Sequence, residues 1–269
     1  MPTPVIRARP ALRMPSALSI AGSDSGGGAG IQADLLTFAA HGVYGTTAIT
    51  CLTAQNPDGV SGVHAAPAAF VGAQIEAVIS FFSPKAAKTG MLYNAAIVTA
   101  VAAVLDRHPR IQLVVDPVMV ATSGAVLLER ETVEALGRRL FPRATLITPN
   151  LDEAAVLLGR RPENRRELTE AAVQLARRYG TATLLKGGHL QDGLLHDVLA
   201  TPRGPGRTFT GRRITGVDTH GSGCTLAAGI AAQLALGRTL PDAVAVARRY
   251  LRRGMMGPVR AGGRSFITH

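Results

Sequence analysis

The sequence predicts an α/β fold in which a mostly parallel central sheet is covered by helices on both faces. Short apolar runs with the length of buried strands alternate with amphipathic helical stretches over most of the chain. Glycine-rich and polar segments follow these runs, at the positions where ligands bind in open sheets of this type. A chain of 269 residues with 46% hydrophobic content is sufficient for one such domain.

The strands are predicted from apolar runs bounded by turn-forming residues. In chain order they cover residues 17–22, 46–54, 86–92, 112–118, 144–150 and 181–188. The helices are predicted between them from apolar residues that recur on one face. They cover residues 29–41, 67–80, 94–107, 129–140, 151–158 and 168–179.

The last third of the chain has a different pattern. Residues 194–214 contain two strand-like runs joined by the turn-forming residues 202–206, which predicts a β-hairpin-like excursion. Residues 223–237 then predict a buried helix. Because no repeat or linker divides the chain, we predict one domain over residues 16–269, preceded by a short flexible leader over residues 1–15.

The charge and cysteine content exclude several functional classes. The formal net charge is +11, but the arginines occur as scattered pairs and aromatic residues make up only 4%, so no nucleic-acid partner is expected. No apolar run approaches the roughly 20 residues that span a bilayer, so no membrane partner is expected. The two cysteines, Cys51 and Cys224, form neither a disulfide framework nor a zinc motif. A cytoplasmic protein is the simplest expectation.

The segment THGSGCT, residues 219–225, carries the strongest chemical signal. Gly221 and Gly223 allow backbone N–H groups to turn inward, and the following helix adds the positive end of its dipole. Such a loop can stabilise the charge on a transferring phosphoryl group. Cys224 lies at the helix start, where a thiol pKa tends to fall, so it is expected to help deprotonate a substrate hydroxyl. In the alternative interpretation the glycines form an ordinary turn and Cys224 is a small core residue.

Two other segments after strands could bind charged groups. Asn150 and Glu153 are three residues apart at a strand-to-helix junction and could share a hydrated cation. The alternative is a capping box, with Asn150 as the N-cap and Glu153 as its acidic partner, and the two interpretations are compatible. Lys186 ends a predicted strand before two glycines and could meet nucleotide phosphates, or it could be an exposed turn residue.

Taken together, these motifs resemble those of a known enzyme family. The segments are AGSDSGGGAGIQADLLTF, TAQNPDGV, KTGML, DPVMVATSG, LITPNLDEA, LKGGH and THGSGCTLAAGIA. They resemble, in the same order, the hydroxymethylpyrimidine/phosphomethylpyrimidine kinases of thiamine biosynthesis. The resemblance covers residues 17 to about 237.

The resemblance implies a ribokinase-like three-layer α/β/α fold with a mostly parallel central sheet. It implies two successive ATP-dependent phosphorylations, first of 4-amino-5-hydroxymethyl-2-methylpyrimidine and then of its monophosphate. The implied cofactors are ATP and Mg²⁺, and the need for a monovalent cation stays open. A homodimer is expected, because relatives of this fold often pair across an open sheet edge.

The resemblance also implies roles for individual residues. The aminopyrimidine would be held by Asp34 and Gln55, with Met91 and Val118 near the ring, since an amide both donates and accepts hydrogen bonds. The anion hole would consist of Gly221, Gly223 and Cys224, and the magnesium-organising pair of Asn150 and Glu153. The nucleotide would lie along Asp116, Lys186, Thr219 and Ser222. Many relatives carry a lysine where this chain has Thr122, so no phosphate contact is assigned there.

Three alternatives remain at this stage. A pyridoxal or pyridoxine kinase of the same fold also acts on a small heterocycle with a hydroxymethyl group. A non-catalytic ligand-binding relative is conceivable, because a fold does not determine a function. A dinucleotide-dependent oxidoreductase would depend on the glycine-rich residues 22–34 alone, whose spacing does not match the usual fingerprint.

Overall fold

A nine-stranded sheet forms the centre of the part of the chain that the computed structural model describes, which is residues 13–119, 128–188, 190 and 193–269. Its strands are β1 (Ser16–Asp24), β2 (Tyr44–Asn56), β3 (Gly59–Ala65), β4 (Ala86–Thr89), β5 (Gln112–Val115), β6 (Leu146–Ile147), β7 (Ala182–Lys186), β8 (Leu194–Thr201) and β9 (Gly204–Arg212). They are arranged in the order β3-β2-β1-β4-β5-β6-β7-β8-β9. A separate ribbon consists of β10 (Val259–Ala261) and β11 (Arg264–Phe266).

The centre of the sheet is parallel and its edges are antiparallel. The strand β1 pairs in parallel with β2 and β4, and parallel pairing continues through β5, β6 and β7. At one edge β3 runs antiparallel to β2, and at the other β8 and β9 are antiparallel. This arrangement confirms the mostly parallel sheet and the hairpin that the sequence predicts over residues 194–214.

The helices form a layer on each face of the sheet. They are α1 (Gly30–Ala40), α2 (Ala68–Phe82), α3 (Ala95–Asp106), α4 (Arg130–Ala135), α5 (Leu151–Leu158), α6 (Arg165–Tyr179), α7 (Ser222–Ala235) and α8 (Leu240–Met256). Buried residues of α1, α7 and α8 form one apolar core with the sheet, and those of α2 to α6 form the other. The three-layer α/β/α architecture is therefore confirmed.

The predicted strands are present, but several end earlier than expected. For example, β5 ends at Val115 and β6 at Ile147, so Asp116 and Asn150 lie in loops beyond the sheet. The strand β3 was not predicted, because it contains no apolar run and nearly all of its residues are exposed. No helix among the described residues is long and apolar enough to cross a membrane.

Two predictions fall wholly or partly outside the described residues. The leader over residues 1–15 overlaps them only at residues 13–15, and Thr122 lies entirely outside them. The division into a leader and a single domain over residues 16–269 stays a prediction.

Candidate active site

Polar side chains converge where the parallel strands end. Asp24 is the last residue of β1, Gln55 lies near the end of β2, and Asp116 follows β5 directly. Asn150 follows β6 closely and forms a parallel bridge with Lys186, the last residue of β7. Because the carboxyl ends of parallel strands meet at one edge of the sheet, these residues share one crevice, as the sequence predicts.

The loop before α7 is built around Gly221. Its backbone has a φ of 78°, in the left-handed region, and an added Cβ would lie 1.8 Å from the carbonyl oxygen of Gly28. Glycine is therefore required both by the backbone conformation and by the contact with the glycine-rich first loop. Ser222 begins α7 and donates its N–H to the Thr219 carbonyl at 3.0 Å. The following N–H groups, at Gly223 and Cys224, lie at the positive end of the helix dipole.

An ion pair lies against this loop. Lys186 Nζ is 3.1 Å from Asp116 Oδ1, which also accepts a hydrogen bond from Thr148 Oγ1 at 3.0 Å. A Cβ on Gly223 would lie 3.2 Å from Asp116 Oδ2 and 3.6 Å from Lys186 Nζ. Burial alone would lower the pKa of Lys186, but the carboxylates of Asp116 and Glu153 raise it above its ordinary value. A protonated ammonium group is thus held beside the start of α7.

Asn150 and Glu153 form a complete capping box at the start of α5. Asn150 Oδ1 accepts the N–H groups of Asp152 and Glu153, both at 2.9 Å, while Glu153 Oε2 accepts the Asn150 N–H at 2.8 Å. Glu153 Oε1 accepts the Met119 N–H at 3.1 Å. The capping interpretation is therefore present in the structure, and the role of the pair towards a metal stays a prediction.

The surroundings of Glu153 determine how a metal ion would fit. Burial raises the pKa of Glu153, Lys186 lowers it and Asp116 raises it further, and the net result is an increase. Among the described residues, no three histidine, cysteine, aspartate or glutamate side chains form a metal-binding cluster. The two carboxylates present, those of Glu153 and Asp116, fit an ion such as Mg²⁺. This ion keeps several waters and is bound mainly by phosphate oxygens.

Asp34 lies beneath the crevice instead of in its wall. Its side chain has no exposed surface, and Lys88 Nζ lies 2.9 Å from both of its oxygens. Ser19 Oγ donates a further hydrogen bond of 2.5 Å to Oδ2. The resemblance implies a contact between Asp34 and the aminopyrimidine. In the structure the Asp34 carboxylate is instead bound by Lys88 and Ser19, which are buried.

Lys88, for which the sequence predicts no role, is completely buried. Burial would lower the pKa of Lys88, but Asp34, Cys224 and Asp116 raise it above its ordinary value. For Cys224, burial raises the thiol pKa and the two carboxylates add to the increase, although Lys88 and a hydrogen bond from the Gly30 N–H oppose it. The expectation of a lowered thiol pKa is wrong, because burial raises this pKa more than Lys88 lowers it.

The residues expected near the substrate ring flank the crevice. Val118 is partly exposed and has a φ of 47°, which for a β-branched residue is a strained backbone. Such strain costs roughly 1–3 kcal/mol and occurs mainly at functional sites. Met91 is also partly exposed, and its carbonyl accepts a 2.6 Å hydrogen bond from Thr50 Oγ1.

A second residue without a sequence-based role is His220. Its Nε2 lies 3.0 Å from Asp24 Oδ2 and 3.1 Å from Gln55 Nε2. The hydrogen bond to Asp24 raises the pKa of His220, and burial opposes the increase. One sequence feature could have indicated a role for His220. Each of the two glycine-rich loops carries a titratable residue, Asp24 in the first and His220 in the second.

Solved structures with the same fold include two kinases. One is a phosphomethylpyrimidine kinase from Clostridium difficile, with 38% sequence identity, a TM-score of 0.79, and coverage of 90% of this chain and 99% of the other. The second is a Bacillus subtilis pyridoxal kinase in complex with ADP, with 33% identity, a TM-score of 0.88, and coverage of 96% and 98%. These similarities confirm the ribokinase-like fold.

Curated relatives are more similar in sequence. A hydroxymethylpyrimidine/phosphomethylpyrimidine kinase from Rhizobium meliloti is 48% identical over 236 residues, which are 87% of this chain and 88% of that protein. A thiamine biosynthesis bifunctional protein from Geobacter sulfurreducens is 49% identical over 236 residues, and the match spans only 48% of that longer protein. The family model for phosphomethylpyrimidine kinase matches residues 24–269. The chain therefore belongs to the phosphomethylpyrimidine kinase family.

Proposed function

We propose that the chain transfers the γ-phosphate of ATP to 4-amino-5-hydroxymethyl-2-methylpyrimidine and then to its monophosphate. Membership of this family makes the chain a kinase. The observation that carries the proposal is the position of the Lys186 ammonium group, held by Asp116 against Gly223 at the start of α7. A fixed positive charge beside a helix N-terminus suits a phosphoryl group in transfer.

The residues of the crevice would act mainly by positioning and by neutralising charge. In phosphoryl transfer there is little covalent chemistry for the protein to perform. The N–H groups at Gly223 and Cys224 would stabilise the charge on the transferring group, and Lys186 would neutralise adjacent phosphate oxygens. The raised pKa of Cys224 favours a thiol that hydrogen-bonds the substrate hydroxyl over a thiolate base. Thr219 and Ser222 would lie along the nucleotide.

Magnesium would be held close to Glu153 and Asp116, with Asn150 keeping Glu153 in place through the capping box. Bound with the nucleotide, it would neutralise phosphate charge. A requirement for a monovalent cation is tested by measuring kinase activity after potassium is replaced with tetramethylammonium.

At the other end of the crevice, Gln55 would bind the edge of the aminopyrimidine while Met91 and Val118 pack near its ring. Asp34 would contribute through its ion pair with Lys88 beneath the site.

We further expect a cytoplasmic homodimer, and light scattering of the purified protein tests the oligomeric state.

A mass-spectrometric assay with ATP and Mg²⁺ tests the function. Hydroxymethylpyrimidine, its monophosphate and pyridoxal are supplied in parallel. Diphosphate from both pyrimidines, with much slower turnover of pyridoxal, supports the proposal. Pyridoxal turnover with an inert monophosphate supports a pyridoxal kinase, the second candidate, which shares the fold of this chain. Absence of turnover with all three would indicate a non-catalytic binding protein.

A further inference from the structure

Three polar side chains meet where the first loop contacts the loop before α7. His220 Nε2 stands between Asp24 Oδ2, at 3.0 Å, and the amide group of Gln55, at 3.1 Å. His220 directly precedes Gly221, and Gln55 is the residue proposed above to bind the substrate edge. Neither Asp24 nor His220 has a role in the reaction as described so far.

The contacts of Asp24 determine where the hydrogens of His220 lie. Asp24 is buried, and its two oxygens accept the N–H groups of Gly26 and Ala29, both at 2.8 Å. These donors together with His220 hold the pKa of Asp24 below its usual range although burial opposes the effect, so it is a carboxylate. A carboxylate oxygen only accepts hydrogen bonds, so the ring nitrogen facing it must carry a hydrogen. His220 therefore has an Nε2–H whether its ring is neutral or charged.

This hydrogen decides which way the Gln55 amide faces. The one hydrogen on Nε2 is shared between Asp24 Oδ2 and the amide in a three-centre hydrogen bond, and within the amide only the oxygen can accept it. A half-turn about the last bond of Gln55 exchanges oxygen and nitrogen without moving the rest of the side chain. The oxygen then accepts from His220, and the NH₂ group faces the crevice.

The backbone of Gln55 is already held in place by Ser25. Its backbone N–H donates to Ser25 Oγ at 2.8 Å, and Ser25 Oγ donates to its carbonyl oxygen at 2.8 Å. With the backbone anchored, the Gln55 side chain still rotates about its own bonds, and His220 is the side chain that contacts its amide group.

We propose that His220, held by Asp24, is a positioning residue that fixes the Gln55 amide with its NH₂ group towards the substrate. In this orientation Gln55 donates to an acceptor nitrogen of a heteroaromatic ring, and the second lone pair of its oxygen can accept from an exocyclic amino group. The site thus selects one orientation of an aminopyrimidine edge. This inference rests on the proposed function and specifies the role of its substrate-binding amide.

Kinetics of His220 variants test the proposal. H220F keeps an aromatic ring but removes the donor, whereas H220Q places an amide NH₂ near the position of Nε2. We expect H220F to raise KM for hydroxymethylpyrimidine by roughly 10- to 100-fold, the usual effect of a mispaired buried hydrogen-bonding group. KM for ATP should stay within about twofold of the starting value, and H220Q should recover most of the loss.

A double-mutant cycle with Q55A separates positioning from other roles. If His220 acts through Gln55, H220F has little further effect on KM in the Q55A background. Equal, additive losses in both backgrounds, or a change confined to kcat and to KM for ATP, would show that His220 acts through the loop before α7 and would overturn the proposal.

Nitrogen NMR of the ligand-free protein provides a readout that needs no turnover. The H220Q variant identifies the His220 resonances by their absence. We expect Nε2 to stay protonated through the whole pH titration while Nδ1 loses its proton. A neutral form with its hydrogen on Nδ1 would contradict the proposal. By contrast, absence of pyrimidine turnover in the unmodified enzyme would contradict the proposed function and leave this result intact.

Discussion

Lys88 and Asp34 form a completely buried ion pair near the loop before α7, with Lys88 Nζ 2.9 Å from each oxygen of the Asp34 carboxylate. Ser19 satisfies Asp34 further, and Gly90 leaves room for the lysine, because an added Cβ there would lie 2.9 Å from Nζ. The pair joins β4 to α1 directly below Cys224. The pair therefore holds the sheet and α1 together, and its two charges also influence the pKa of Cys224.

Removal of one partner of this pair should be strongly destabilising. K88M leaves the Asp34 carboxylate buried without its cation, and we expect a loss of about 3–5 kcal/mol in the free energy of unfolding, measured by urea denaturation. The matched control is R264M, which removes an exposed ion pair with Asp58 and should change stability little. A K88M protein as stable as the starting protein would show that the buried pair contributes no net stability.

Gly221 and Gly216 provide a matched test of the loop contact. Both have positive φ, 78° and 80°, but an added Cβ meets the Gly28 carbonyl at Gly221, whereas at Gly216 no atom of the described residues lies within 4 Å. G216A should cost about 1 kcal/mol of stability and leave kcat/KM unchanged. G221A should in addition displace the loop before α7 and lower kcat/KM by at least about 100-fold. Equal effects of the two substitutions would exclude the clash as the cause.

Lys186 should act on the transition state more than on substrate binding. K186M removes the ammonium group beside Gly223, and we expect kcat to fall by roughly 100- to 1,000-fold. The exposed Lys85 offers the control K85M, which should leave kcat unchanged. A K186M variant that changed only KM for ATP would assign Lys186 to ground-state binding of the nucleotide.

Replacement of Cys224 by aspartate should separate the two phosphorylations. A carboxylate at this position would repel the anionic monophosphate more than the uncharged pyrimidine. C224D is expected to keep the first phosphorylation and to lose most of the second, measured with each substrate separately. C224S, which adds no charge, serves as the control. Equal activity of C224D on both substrates would contradict the electrostatic explanation for the cysteine.

The pair of His220 with Asp24 should make stability depend on pH. Because the pKa of His220 is raised in the folded protein, its stabilising contribution is complete below its ordinary value of 6.5 and is lost as pH rises through the folded pKa. Asp24 on β1 and Asp218 in its own loop face the ring, and Arg264 on β11 lies 4.0 Å from Asp218. The difference in the free energy of unfolding between the starting protein and H220Q, measured by urea denaturation, should shrink as the pH rises above 6.5. A difference that stays constant would exclude the titration.

Local sequence patterns predicted the central strands, most helices and the positions after strands where the site residues lie. These features depend on hydrophobic periodicity and turn residues within a short window, which the chain displays directly. The strand β3 escaped prediction because its pairing with β2, and not its own composition, makes it a strand. The lowered thiol pKa predicted for Cys224 failed because it considered the helix dipole without the burial that the folded chain imposes.

By itself, the sequence determined the three-layer fold class, the order of the motifs and the crevice that collects them. Only the tertiary structure decided which polar groups face one another. It pairs Lys88 with Asp34 across 54 positions of the chain and His220 with Asp24 across 196. The physical reason is that burial and hydrogen bonding between distant segments depend on how the strands and helices pack, and such contacts leave no local periodicity in the sequence.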